Sequence, residues 1–211
     1  MMKNKYKILA CIVLLLSLIC IFSGISYAIF NYFGTGMTNN VIQTGRVVFS
    51  YSDANGGGNG ILIEDAEPIP DDMGKLLSGD GEYFDFSVSA STTTSNLSYE
   101  ITVNKDEKST LPDEYVKIYL TSFDGNREME TPLTVIDNNV ITYSELKNTD
   151  NKALTGKTIY YGRVQSGEVA YGQKFRLRMW LKLPENSQFD YSTISDKAFS
   201  LKVNVAASSV Y

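Results

Sequence analysis

The amino-acid sequence predicts an all-β chain, an antiparallel β-sandwich of immunoglobulin-like or jelly-roll type with about nine strands, behind an N-terminal signal peptide or membrane segment. Three observations lead there. Apolar and polar residues alternate with period two in one segment after another, the mark of strands with one face buried and one in water. Helical spacing of apolar residues never persists beyond about a turn. Clusters of Gly, Asn and Asp separate the alternating segments, at Asn55 to Gly60, Ser78 to Gly81, Asp124 to Asn126 and Asp137 to Asn139. With no helices to shield a sheet, the inward row of one sheet needs a second sheet about 10 Å away.

At the N-terminus, Lys3, Lys5 and Lys7 precede a run from Ile8 to Phe22 that only Ser17 interrupts, a basic region followed by an apolar one. Ser26-Tyr27-Ala28 then places small residues at the first and third positions before a cut, so a signal peptidase is expected to cleave after Ala28. The alternative is an uncleaved anchor: Ile8 to Phe30 carries no charge and, at about 1.5 Å per residue, can cross a hydrocarbon core ~30 Å thick. Either way the chain beyond Ala28 lies outside the cytoplasm. Residues 1–28 are therefore the signal or anchor, 29–45 a mature N-terminal segment, and 46–211 the sandwich.

The strand pattern is clearest where Phe84, Phe86, Val88 and Ala90 alternate with Asp85, Ser87 and Ser89, and where Leu97, Tyr99, Ile101 and Val103 alternate with Ser98, Glu100, Thr102 and Asn104. It recurs in Phe175, Leu177, Met179 and Leu181, and in Phe199, Leu201, Val203 and Val205. Weaker candidates are Val47 to Ser52, Ile61 to Glu64, Tyr115 to Thr121, Leu133 to Ile136 and Thr158 to Val164. Single helical turns fit Asp72 to Leu77, and Tyr143 to Lys147 with Thr142 as its cap.

Composition excludes much chemistry. The chain of 211 residues has no histidine, and its two cysteines, Cys11 and Cys20, lie inside the apolar N-terminal run. The body therefore lacks the parts of a Ser-His-Asp triad, a Cys-His dyad, an ordinary zinc site or a disulfide framework, and no enzymatic activity or obligate cofactor is expected. Removing Lys3, Lys5 and Lys7 takes the formal net charge from −5 to −8, which makes nucleic acid an unsuitable partner.

Two oxygen-rich or charged features stand out. Asp53, Asn55, Asn59 and Glu64 surround the glycines of a partial calcium-loop pattern; a hairpin turn accounts for the same glycines. Arg176, Arg178, Trp180 and Lys182 share the polar face of one strand and form a candidate stripe for an acidic partner, an anionic cell-wall polymer or a glycan; the bland reading is a solvated sheet face with Trp180 over a loop.

The end of the signal, Gly24-Ile25-Ser26-Tyr27-Ala28-Ile29-Phe30, and the segment Asn39-Asn40-Val41-Ile42-Gln43-Thr44-Gly45 leading into Val47-Val48-Phe49 resemble secreted Gram-positive proteins processed by SipW-type signal peptidase, the TasA and CalY (camelysin) family. The resemblance covers the first fifty residues closely and the remainder only as pattern. It implies a jelly-roll-like subunit of biofilm-matrix fibres, in which the segment freed by cleavage adds as a strand to the next copy. The metalloprotease label attached to the camelysin side does not fit a chain without histidine.

Ile29, Phe30, Tyr32 and Phe33 form an apolar cluster at the new N-terminus, which either folds back on its own sandwich or completes the edge of a neighbour by strand addition. The expectation is thus an extracellular, non-catalytic fibre subunit whose partners are copies of itself. The alternative is a monomeric or membrane-tethered surface adhesin or carbohydrate-binding module.

Overall fold

A computed structural model describes residues 32–35, 40–44, 47–53, 60–64, 66–79, 81–93, 95–130, 140–152, 154–167, 171–184 and 191–210. Ala28, Ile29 and Phe30 lie outside the described residues, as do Asn55 and Asn59 of the glycine-rich loop and the expected strand Leu133 to Ile136.

Two sheets face each other. The first has the order β1 (Tyr32–Thr35), β13 (Ala198–Val210), β7 (Asn96–Lys105), β11 (Lys157–Val164), with β4 (Gly60–Glu64) also on β13. The second runs β10 (Val140–Thr142), β8 (Val116–Asp124), β12 (Tyr171–Lys182), β6 (Tyr83–Thr92), β3 (Val47–Asp53), β2 (Asn40–Thr44). Two shorter strands join it, β5 (Pro68–Ile69) on β12 and β9 (Arg127–Glu130) on β8. Every pairing is antiparallel except that of β5 with β12. This is the all-β sandwich that the alternation predicts.

All the other alternating segments become strands. The strands beyond the expected nine are short ones, such as β5, β9 and β10, held by pairing rather than announced by their own periodicity. The helical turns also form, α1 over Asp71–Gly74 and a 3-10 turn over Tyr143–Glu145. At the latter, the Glu145 carboxylate accepts hydrogen bonds from the Thr142 backbone N–H and hydroxyl, both at 2.7 Å, so Thr142 occupies the cap position expected of it. Between β8 and β9 the paired residues Asp124 and Arg127 close a two-residue turn, with Gly125 at φ 60° as hairpins of this length favour.

The inward rows meet in one core. Phe84, Phe86 and Val88 of β6 and Phe175, Leu177 and Met179 of β12 face Tyr99, Ile101 and Val103 of β7 and Phe199, Leu201 and Val203 of β13. Aromatic rings stitch the two sheets: Phe86 stacks on Phe175 at 5.3 Å between centroids, Phe175 meets Tyr160 of β11 at 5.1 Å, and Tyr160 meets Tyr99 at 6.0 Å. Tyr160 reaches the core because the β11–β7 register shifts between Thr158 and Tyr160. The bulge turns Ile159 and Tyr160 inward in succession, which a regular strand cannot do.

Tyr99 lies flat across its cross-strand partner Gly162, where a Cβ would enter the phenol ring. Its hydroxyl shares a 2.7 Å hydrogen bond with that of Tyr171, and burial raises its pKa strongly, so it stays protonated. Gly162→Ala is expected to displace the Tyr99 ring and cost about 1–3 kcal/mol, measured by denaturant unfolding. A neutral result would mean that the ring has room to shift.

Candidate functional site

Strand β13 organises the first candidate surface. On one side it pairs with β7 from Leu201 to Val210. Its other side is divided: β4 pairs with Ala198 to Lys202, and β1 with Asn204 to Ala207. The registers place Tyr32 opposite Ala207 and Phe33 opposite Ala206, so both residues of the expected assembly strand that fall among the described residues are in a sheet edge of their own chain. The next strand, β2, belongs to the edge of the other sheet through its pairing with β3. β1 and β2 therefore belong to different sheets, and β1 is held by one neighbouring strand over only four residues.

The opposite edge of the first sheet is β11. Its bulge, together with Lys157 and the exposed Arg163, blunts it against further pairing. The two edges are thus unlike: one is blunted by its bulge and covered at its start by the Asn148 bridge to Lys157, the other by a short strand from the N-terminal segment.

The outer face of the second sheet holds the charged stripe, and here the expectation of an open, cationic surface needs correction. Arg178 is 4% exposed and Trp180 2%. The Arg178 guanidinium donates to both carboxylate oxygens of Glu128, with Nη2 to Oε2 at 3.1 Å, and its Nε donates to the Leu77 carbonyl at 2.7 Å. Arg176 makes a two-pronged bond to Asp85, 2.6 and 2.9 Å, and lies 3.9 Å over the Tyr83 ring. Lys174 reaches the same Asp85 at 3.0 Å. Lys182 sits at the strand end, opposite Ile69 of β5.

What covers Trp180 is α1. Gly74 lies against the indole, and a Cβ there would fall inside the ring. The indole N–H donates to Asp71 at 3.3 Å, while Tyr119, Val140, Ile69 and Leu77 complete a small second core on this face. Lys117 to Asp71 and Lys75 to Glu130, both at 3.4 Å, tie the edges of the cover down. The reason the stripe is closed is therefore tertiary: the segment between β4 and β6 returns across the sheet and lies on it.

Electrostatics follow from that closure. Burial works to raise Asp85 and Glu128, but hydrogen bonds from Arg176 and Lys174 to the first, and from Arg178 and Thr121 to the second, hold both below the usual carboxylate range. Tyr119 is pushed up to about 12 by burial and by the Glu130 charge that accepts its hydroxyl.

The calcium-loop candidate is divided between sheets. Asp53 ends β3 in the second sheet, and Glu64 ends β4 in the first, while residues 54–59 between them lie outside the described residues. Among the described residues no three His, Cys, Asp or Glu side chains gather as a metal site.

Neither a protein-family model nor a curated protein sequence matches the chain. Among solved structures, the chain is similar to the K1 cleaved adhesin domain of Lys-gingipain from Porphyromonas gingivalis W83, with 10% identity, TM-score 0.28, and coverage of 86% of this chain and 99% of that one. TmCBM61 in complex with β-1,4-galactotriose gives 9% identity, TM-score 0.19, and coverage of 74% and 86%. Likenesses this slight have no bearing on function.

Arg178→Met is expected to cost about 3 kcal/mol, because it strands buried polar groups that the guanidinium now satisfies, and to shift the emission of Trp180, the only tryptophan, to the red. Unchanged stability would show that Glu128 finds other partners. With Asp85 and Glu128 lowered in the folded state, their stabilisation is complete above the unfolded carboxylate range, about pH 4–4.5, and is lost as pH falls through their lower folded values. The melting temperature should drop on acidification below about pH 4.5, and less steeply in Glu128→Gln; parallel profiles would remove Glu128 as a source of the acid sensitivity.

Proposed function

We propose that the chain is an exported, non-catalytic structural subunit of an extracellular surface fibre, of the TasA and CalY kind, which assembles when β1 of one copy pairs with β13 of the next. The observation that carries the reading is the divided edge of β13, half of which is filled by a four-residue strand from the N-terminal segment. Because β1 would make the same backbone pairing in a neighbour as at home, exchange leaves the number of hydrogen bonds unchanged. The balance between closed monomer and fibre is then set by concentration and by contacts between copies. An exchange of this kind is head-to-tail, so it continues as a filament wherever it does not close into a ring. Cleavage by a signal peptidase after Ala28 would release the strand for exchange.

A second reading, a monomeric or membrane-tethered adhesin or carbohydrate-binding module, is favoured by the same pairing seen from the other side. With β1 on its own β13, a single chain has already closed that edge.

Cysteine pairs separate the two readings. The chain beginning at Ile29 has no cysteine of its own, so Tyr32→Cys with Ala207→Cys, and Phe33→Cys with Ala206→Cys, introduce thiols at adjacent β1–β13 register positions. One of two adjacent pairs has the closer, non-hydrogen-bonded spacing that suits a disulfide. For the fibre, oxidation should give a ladder of covalent oligomers on a denaturing gel and filaments by negative-stain microscopy. A chain beginning at Met37, which keeps β2 but lacks β1, should form neither filaments nor large particles in light scattering. Cross-linked single chains at every concentration, with no filaments, would overturn the fibre and leave the monomeric surface module.

A further inference from the structure

The outer face of the first sheet contains a hydroxyl that the fold buries without a partner, beside a buried carboxylate held only by neutral hydroxyls. On β7, Ile101 and Val103 point into the core, so Glu100 and Thr102 share the opposite face. Glu100 is 6% exposed, and the hydroxyls of Thr149 and Thr158 both donate to its Oε1, at 2.7 and 2.6 Å. No Lys or Arg among the described residues pairs with this carboxylate.

One step along the same face, Thr102 is fully buried and its Oγ1 has no hydrogen-bond partner. The two positions adjoin one site. Thr158, which donates to Glu100, is the cross-strand partner of Thr102 on β11, and Asn204 is its cross-strand partner on β13. Asn204 is 8% exposed, also on the outer face by alternation with the core residues Val203 and Val205.

A buried carboxylate without a counter-charge and a buried hydroxyl without a partner are each unfavourable, and they stand side by side. Every group at the site is an oxygen donor or can present one: carboxylate, hydroxyl and amide carbonyl. We infer that Glu100, Thr102 and Asn204 form a site for a hard cation, with calcium the natural occupant outside the cell. One ionised carboxylate with neutral oxygen ligands fits the weaker extracellular class of calcium sites, with a Kd of about 10⁻⁴–10⁻³ M. The ion supplies the charge that Glu100 lacks and occupies the free hydroxyl of Thr102. It also stabilises the first sheet where β11, β7 and β13 lie side by side. This site is separate from the glycine-rich stretch between Asp53 and Glu64, and it does not depend on fibre assembly.

The test is a terbium and calcium titration on the chain beginning at Ile29. Terbium emission excited through tyrosine is informative here, because Tyr161 is the cross-strand partner of Glu100 and lies next to the site. The expected result is tyrosine-sensitised emission that millimolar calcium displaces. Glu100→Gln should abolish it, Thr102→Val should weaken binding by about tenfold, and the double variant Asp53→Asn with Glu64→Gln should leave it unchanged.

Thr102→Val keeps the inference testable if Glu100→Gln does not fold. In chelator it should be as stable as the parent or more so, since it removes an unsatisfied hydroxyl, yet its melting temperature should rise less on adding calcium. The inference is overturned by absent terbium emission, as a water on Thr102 would give. It is overturned equally by emission that follows Asp53 and Glu64, or by a calcium response that Thr102→Val leaves intact.

Discussion

The hydrogen bonds along the two sides of β13 are the constraint on which the rest depends. A strand of thirteen residues in the middle of a sheet exposes a row of backbone donors and acceptors on each side, and in a folded chain nearly all of them need partners. β7 satisfies one side. The other is served by two short strands from distant parts of the chain, β4 and β1, which follow each other along it. β4 follows β3 in the chain and β1 precedes β2, so the strands that close this side of β13 adjoin in sequence the strands at one end of the second sheet. The β1 side of β13 is therefore the place where a change in the N-terminus has structural consequences.

The two outer faces solve a shared problem in different ways. A strand alternates strictly, so every inward Phe or Leu obliges a neighbour to face outward. On the second sheet those outward residues include Arg178 and Trp180, and α1 with its flanking chain lies over them. Burial is tolerable because each polar group is matched: Arg178 with Glu128 and the Leu77 carbonyl, Trp180 with Asp71, Arg176 with Asp85. On the first sheet Glu100 is met by neutral hydroxyls and Thr102 by nothing, so the matching is incomplete. Side chains of similar polarity on two faces of one domain are thus treated differently, fully matched on one and with one unpartnered hydroxyl on the other.

Much of the architecture was legible in residue order. The rows Phe84 to Ala90, Leu97 to Val103, Phe175 to Leu181 and Phe199 to Val205 became the inward faces of the four central strands, since period-two burial is a local property that any half-buried strand must display. The Thr142 cap and the Gly125 turn were legible for the same reason, their geometry being set within a few residues. Short strands such as β9 and β10 left no such trace, because they exist through the partner that pairs with them.

The candidate sites divide along the same line. Alternation correctly placed Arg176, Arg178, Trp180 and Lys182 on one outward face, but exposure could not be inferred from it, because what lies over a sheet face is decided by where a remote segment returns. Likewise Asp53 and Glu64 are close in sequence and sit in different sheets, a separation that no spacing rule reports. Sequence by itself determined the class of fold, the chemistry that a chain without histidine must do without, and the rows that form the core, all of which depend on composition and local period. Tertiary structure alone decided which edge β1 occupies, that Trp180 is covered, and that Glu100, Thr102 and Asn204 come together, because those are contacts between segments whose distance along the chain carries no information about their distance in space.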